Sequence, residues 1–218
     1  LIMVDRTIHG PYENYQTPER TIPEKRLPYP WESCIPLSDD WGYVKHPNFK
    51  SPQKIINSLI EIVAKGGSLV LGVGPTPEGV IQPEVIERLK TIGTWMRENG
   101  TAIYNTRSTP IYNSGNTWFT ANKNGKILYA IYRLDEKQAL PNVIKWEGNI
   151  PIKGTKIRML CNGTALKWKA HGSTVSVFLP KGIFFYKTDK TYKAFTFYLR
   201  LYTSYQLLFA SRNLNNYI

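Results

Sequence analysis

A helix pattern followed at once by a short apolar strand pattern constrains the fold of this chain most. Ser51-Pro52 is a typical helix start, because a hydroxyl can cap the first turn and proline suits the first helical position. Gly66 stands where that helix would end. The apolar run 68–73 is typical of a strand buried on both faces, and a second helix is predicted from about Pro83 to Asn99. This order predicts an α/β fold with a parallel sheet. The apolar stripes are Ile55, Ile56, Leu59, Ile60, Ile62 and Val63 in the first helix, and Val85, Ile86, Leu89, Ile92 and Met96 in the second.

The pattern changes near Thr109. From there on, short runs of alternating apolar and polar residues are separated by Asn-Gly, Lys-Gly and proline turns, which predicts an antiparallel β-sandwich. We therefore expect an α/β domain over residues 1–107, a β-sandwich over 108–198 and an atypical tail over 199–218. The predicted strands are 117–121, 127–133, 156–160, 166–169 and 174–179.

Positive charge is concentrated in the second part of the chain. The formal net charge is +12, yet residues 1–120 hold twelve basic and twelve acidic side chains, so the whole excess follows residue 120. Basic residues there alternate with apolar ones, as they do on the solvent face of strands. We therefore favour a solvated sheet face over a surface for acidic polymers, and expect no nucleic-acid partner. The alternating basic residues are Lys153, Lys156, Arg158, Lys167 and Lys169.

The two cysteines and three histidines lack the spacing of a metal site. Cys34 and Cys161 are 127 residues apart in the chain. We expect no structural metal and two buried free thiols, with a disulfide between them as the alternative. No run of about 18 apolar residues occurs, so we expect no membrane-spanning helix.

Acidic and aromatic residues share a long polar segment ahead of the first helix. Long ordered loops in compact domains are commonly functional. A carboxyl group can exchange protons with a glycosidic oxygen, and an aromatic face can pack on a sugar ring. Glu19 is the leading candidate for a general acid/base, with Glu13 and Glu32 as alternatives. Trp41 and Tyr43 are candidates for sugar stacking, although packing in the core is the favoured role for both.

Six short segments of the chain form an ordered series. They are Leu1-Ile2-Met3-Val4-Asp5-Arg6-Thr7, Tyr12-Glu13-Asn14-Tyr15-Gln16-Thr17-Pro18-Glu19, Pro30-Trp31-Glu32-Ser33-Cys34, Trp41-Gly42-Tyr43, the segment from Gly66 to Pro75, and Asn99-Gly100-Thr101-Ala102-Ile103-Tyr104. The series resembles the α-L-fucosidases of glycoside hydrolase family 29, closely over residues 1–107 and loosely over 108–180. The first three segments look most like the subgroup that acts on α-1,3/1,4-linked fucose. The chain departs from the family pattern at Ser68 and Gly72, where the family usually has asparagine, and at Thr101, where it usually has glutamate.

The resemblance implies a fold and an activity. The fold would be the last units of a (β/α)8 barrel, a TIM-like barrel, followed by a β-sandwich. The activity would be retaining hydrolysis of fucosylated glycans, without a metal or an organic cofactor. A carbohydrate-binding or interaction module with no chemistry of its own is the alternative function.

The resemblance also implies roles for particular residues. It assigns the acid/base role to Glu19 and indicates Arg6, Trp31 and Glu32 as substrate-binding residues. A Trp31–Glu32 pair that merely closes the barrel rim, and an Arg6 that serves only in an ion pair, are the alternatives from the residues themselves. The family's nucleophile is an aspartate on an earlier barrel strand, before the segment that contains Arg6. We therefore expect this chain to be a C-terminal fragment that is inactive when isolated.

Overall fold

The fold is described from a computed structural model. The structure describes residues 3–6, 10–135, 138–180 and 194–199, and at residues 5, 194, 195 and 197–199 it describes the backbone alone. The chain divides between Arg97 and Glu98 into two compact units. The tail predicted over 199–218 lies outside the described residues from position 200 onwards.

The first unit is built from parallel strands and helices. Strands β1 and β2 pair in parallel, and so do β3 and β4. Single parallel bridges also join Gln16 to Trp31 and Glu19 to Cys34, which places the acid-bearing segment beside β3. The predicted α/β pattern with parallel pairing is confirmed. The elements are β1 (Val4–Asp5), β2 (Tyr15–Gln16), β3 (Glu32–Pro36), α1 (Pro52–Ala64), β4 (Ser68–Gly72) and α2 (Pro83–Asn99).

Local chemistry explains the bounds of α1. The Ser51 hydroxyl accepts a hydrogen bond from the Lys54 amide at 3.2 Å, and Pro52 occupies the first turn, where its missing N–H costs nothing. Gly66 has a φ of 87°, a left-handed conformation that glycine adopts without steric penalty. The Gly66 and Gly67 amides then donate to the carbonyls of Val63 and Ile62, which ends the helix.

Only one face of β4 packs against the core. Leu69 and Leu71 contact a cluster that contains Ile55 of α1 and Val85 of α2. Val70, which points the other way, is 41% exposed. The prediction that this strand is buried on both faces is therefore wrong for the described residues, because the helices cover a single side. The segment with Glu19 pairs with the other edge of β3, away from β4.

The second unit is a sheet of antiparallel strands. Among the described residues its strand order is β5-β6-β7-β12-β9-β10-β11-β8. Residues from β6 and β7 share one core with residues from β8, β10 and β11, so the sheet folds over onto itself. This arrangement is compatible with the predicted β-sandwich. The strands are β5 (Thr106–Ser114), β6 (Thr117–Asn122), β7 (Leu128–Arg133), β8 (Val143–Glu147), β9 (Ile157–Met159), β10 (Ala165–His171), β11 (Thr174–Phe178) and β12 (Ala194–Leu199).

The start of the second unit precedes the boundary predicted at residues 107/108. A short 3-10 turn, Gly100–Ala102, follows α2. The Thr120 hydroxyl of β6 donates to the Ala102 carbonyl at 2.7 Å, which ties that turn to the sheet. The basic side chains at 153, 156, 167 and 169 are exposed, as a solvated sheet face requires. No helix in the described part of the chain is long and apolar enough to cross a membrane.

Candidate active site

Backbone hydrogen bonds hold the acid-bearing segment against β3. The Cys34 amide donates to the Pro18 carbonyl at 3.0 Å, and the Arg20 amide donates to the Cys34 carbonyl at 2.8 Å. Arg20 has a φ of 59°, a left-handed conformation that is uncommon for a residue with a side chain. Such local strain is often found at functional sites. Glu19 is therefore fixed in its backbone position by the middle of a strand.

The Glu19 carboxylate is held at both of its oxygens. Arg6 Nη1 donates to Oε2 at 2.7 Å, and Trp41 Nε1 donates to Oε1 at 2.6 Å. The Glu19 side chain is 34% exposed, so solvent or a ligand can still reach it. A carboxyl group that is oriented and accessible meets the geometric requirement for proton exchange with a bound substrate.

The neighbours of Trp41 fix its indole ring. The Arg20 guanidinium lies 5.6 Å from the ring centroid, and its Nη1 donates to the Asp39 carbonyl at 2.9 Å. A Cβ added at Gly72 would lie 2.8 Å from Cζ3 of the indole, so the ring rests directly on the end of β4. Trp41 is 36% exposed. It is therefore not the core-filling residue that the sequence favoured, and neither is the exposed Tyr43.

Lys50 holds the loop that follows β3. Its Nζ donates to the carbonyls of Pro36 and Ser38, and it lies 3.9 Å from Oδ1 of Asp39. Burial is the main cause that lowers the pKa of Lys50, although the charge of Asp39 opposes it. The Ser38 hydroxyl donates to the Asp40 carbonyl and accepts from the Asp40 amide, so the chain bends tightly there.

The two alternative acids have different partners. Glu32 forms a side-chain hydrogen bond with Tyr15, and burial followed by this bond raises the pKa of Tyr15 to about 12. Glu13 accepts a hydrogen bond from Gln16 Nε2 at 2.7 Å. The structure therefore brings Arg6 and Trp41 together at Glu19, whereas Glu32 and Glu13 lie in local pairs.

Trp31 lies in the core. It is 2% exposed and packs with Ile35 and Ile62. A Cβ added at Gly67 would lie 2.4 to 2.6 Å from three atoms of its ring. A ring buried in this way offers no face to a sugar, so the prediction that Trp31 lines a sugar pocket needs correction.

Sequence reasoning did not find the roles of Arg20 and Gly72. The sequence marked Trp41 only as a candidate for sugar stacking or core packing, and it did not indicate the hydrogen bond to Glu19. Gly72 was visible only as a departure from the family pattern, and its contact with Trp41 gives that departure a physical meaning.

Among the described residues, no group of three or more histidine, cysteine or acidic side chains could hold a metal ion. Cys34 and Cys161 are both free thiols, and Cys34 is half-buried. Cys161 is exposed rather than buried as predicted. Burial is the largest cause that raises the pKa of the half-buried Cys34 thiol.

Comparison with known proteins gives consistent matches. Residues 1–101 match the family model described as alpha-L-fucosidase. The chain is 30% identical over 194 residues to plasma alpha-L-fucosidase of Rattus norvegicus, covering 79% of this chain and 39% of the relative. It is 32% identical over 180 residues to tissue alpha-L-fucosidase of Bos taurus, covering 79% of this chain and 37% of the relative.

Solved structures share the fold of this chain. Alpha-L-fucosidase isoenzyme 1 from Paenibacillus thiaminolyticus superposes with a TM-score of 0.73 at 25% identity, covering 88% of this chain and 46% of that one. The Thermotoga maritima alpha-fucosidase in complex with fucose superposes with a TM-score of 0.71 at 24% identity, covering 90% and 44%. The chain thus spans less than half the length of each of these proteins. The sequence relatives show that the chain belongs to the α-L-fucosidase family, glycoside hydrolase family 29, and the solved structures share its fold.

Proposed function

We propose that the protein is a retaining α-L-fucosidase in which Glu19 is the general acid/base. The observation that carries this proposal is the Glu19 carboxyl group, which is accessible and held at both oxygens by Arg6 and Trp41. The names of the matching relatives support the choice of fucosides as substrates. By the resemblance of the first three motifs, the substrate is a glycan with terminal α-1,3/1,4-linked fucose.

The chemistry needs two proton transfers at Glu19. In the first step, the protonated carboxyl group donates to the glycosidic oxygen while the bond from that oxygen to the fucose C1 breaks. A carboxylate nucleophile forms a new bond to C1 in the same step. In the second step, the Glu19 carboxylate takes a proton from the water that attacks C1, and the bond from C1 to the nucleophile breaks. Fucose is released, the nucleophile is again a free carboxylate and Glu19 is again protonated. The nucleophile is an aspartate that the family resemblance places on an earlier barrel strand, ahead of the segment that contains Asp5 and Arg6.

The remaining residues would orient the acid and the sugar. Arg6 carries a permanent positive charge and holds Oε2 of Glu19. Glu32 has an oxygen paired with Tyr15 and lies on the same strand as Cys34, beside Glu19. We propose Arg6 and Glu32 as site residues and leave Trp31 out because its ring is buried. No metal or organic cofactor enters the proposed reaction.

Glu19→Gln in the protein encoded by the whole gene tests the proposal. General acid catalysis contributes about 10²–10⁴-fold, so turnover of a fucosylated oligosaccharide should fall by that factor. An aryl fucoside with a good leaving group needs little protonation, so its first step should be affected much less. Azide should restore turnover where the second step limits the rate, because it attacks C1 without the help of a base.

Glu24→Gln is the matched control, because Glu24 is exposed and lies in the same loop. It should retain full activity. Unchanged turnover in Glu19→Gln with a large loss in Glu32→Gln would move the acid/base role to Glu32. Fucoside binding without turnover by the intact protein would favour the alternative, a carbohydrate-binding module.

A further inference from the structure

We propose that Trp41 is a positioning residue for the acid/base, and that Gly72 sets the place of its indole ring. The inference rests on the proposed function, because it takes Glu19 as the acid. Its observations are two contacts: the 2.6 Å hydrogen bond from Trp41 Nε1 to Glu19 Oε1, and the packing of the same indole on Gly72. Nothing in the resemblance or in the matches assigns either role.

The bond from Trp41 completes the orientation of the carboxyl group. A carboxyl group held at one oxygen can still rotate about its last side-chain bond, since that torsion is broad. Arg6 holds Oε2 and Trp41 holds Oε1, so the plane of the group is fixed by both. An acid must face the glycosidic oxygen to donate its proton, and small misplacements cost large factors in rate.

The indole N–H suits this task chemically. It is a donor only and it carries no charge. It therefore stays bonded to Oε1 whether the carboxyl group is protonated or ionised, as the two steps of the reaction require. The other oxygen already lies against the Arg6 cation, and a second cation in this place would add to the charge around an acid that must take up and release a proton.

Gly72 provides the space that the ring occupies. A Cβ at this position would lie 2.8 Å and 2.9 Å from Cζ3 and Cε3 of Trp41, closer than real Cβ atoms approach other atoms. The asparagine that is usual in the family therefore could not stand here with Trp41 in its present place. The departure at Gly72 and the bond to Glu19 are thus two parts of one arrangement.

Two other glycines, Gly42 and Gly74, hold the loop that carries Trp41. A Cβ at Gly74 would lie 2.6 Å from the carbonyl carbon and the carbonyl oxygen of Gly42, so the two backbones are in close contact. Arg20 adds its hydrogen bond to Asp39 on the other end of the loop. Trp41 is therefore carried by a segment that is fixed on both sides.

Trp41→Phe in the protein encoded by the whole gene is the direct test, because phenylalanine keeps an aromatic ring and removes only the donor. The readout is kcat/KM for a series of aryl fucosides whose leaving groups differ in pKa. With poor leaving groups and with a fucosylated oligosaccharide, kcat/KM should fall by about 10–100-fold, the value of a hydrogen bond to a charged group. With the best leaving groups it should fall less than about threefold, and KM should change little.

Gly72→Ala tests the second half of the proposal without touching Glu19. It should displace the indole and give the same dependence on the leaving group as Trp41→Phe. The double variant should be no worse than the single variants, because both remove the same contact. Either single variant alone decides the proposal if the other does not fold.

The outcomes separate the two proposals. If Glu19→Gln shows the dependence on the leaving group and Trp41→Phe shows none, or an equal loss with every fucoside, the inference about Trp41 is overturned while the function stands. If Glu19→Gln itself lacks the dependence, the proposed role of Glu19 fails, and the inference fails with it.

Discussion

A single methyl group at Gly67 should destabilise the first unit strongly. The added Cβ would lie 2.4, 2.5 and 2.6 Å from three ring atoms of Trp31, whereas ordinary contacts of this kind start near 3.4 Å. Trp31 is fully buried and packs on Ile35 and Ile62, so its ring has no space in which to retreat. Overpacking of this kind typically costs about 1–3 kcal/mol, and a shift of almost 1 Å places Gly67→Ala at the upper end.

The assay is thermal unfolding followed by circular dichroism at 222 nm, since both described helices precede Gly100. For a chain of this size, about 2–4 °C of melting temperature corresponds to 1 kcal/mol, so Gly67→Ala should lower it by about 6–12 °C at the upper end. Gly93→Ala is the matched control: it lies inside α2, and a Cβ there meets nothing within 4 Å. It should stabilise by about 0.5–1 kcal/mol, because glycine is unfavourable inside a helix. A melting temperature of Gly67→Ala equal to that of the unchanged protein would refute the reasoning.

Two further predictions concern pH and the isolated chain. The raised pKa of Tyr15, about 12 in the fold against 10 when unfolded, means that the unfolded state loses its proton first, so stability falls as pH rises from 10 to 12. Urea unfolding at pH 9 and at pH 11 measures the loss in the free energy of unfolding, which should be smaller for Tyr15→Phe than for the unchanged protein. Tyr12→Phe, at an exposed position, should lose as much as the unchanged protein. Equal losses in all three proteins would contradict the raised pKa of Tyr15. In the second prediction, the purified 218-residue chain should release no fucose from a chromogenic fucoside, because the resemblance places the nucleophile on an earlier strand, ahead of the Asp5-Arg6 segment. The chain should also bind a hydrophobic dye at the apolar face of β4 that exposes Val70. Turnover at about 1–10³ s⁻¹ would show that a second carboxylate lies within these residues.

The helices of the first unit could be predicted from the sequence because their signals are local. A hydroxyl cap, a proline in the first turn and an apolar stripe lie within one segment, and the structure places α1 at Pro52–Ala64 accordingly. The apolar run after Gly66 became β4 for the same reason. The burial of its two faces could not be predicted, since that depends on which other elements cover the sheet.

Strands β5 and β8 of the second unit were missed for different reasons. Pro110 lies inside β5, and proline ordinarily argues against a strand. The register of β5 with β6 shifts between Ser108 and Asn113, so the strand accommodates the proline at an irregular point. The run Val143–Glu147 of β8 does alternate, with Ile144 and Trp146 buried, so its signal was present in the sequence.

The environment of Glu19 depends on contacts that no local pattern encodes. Its two donors are 13 and 22 residues away in the chain, and Gly72, which supports the second donor, is farther still. These residues meet because the segment of Glu19 lies parallel to β3, and β3 lies parallel to β4. Trp31 and Trp41 have the same chemistry in the sequence, yet the parallel register buries one beneath Gly67 and presents the other to the acid. The chemistry of tryptophan therefore indicates that its indole N–H can bind a carboxylate, and the parallel register of the strands decides that Trp41 rather than Trp31 binds Glu19.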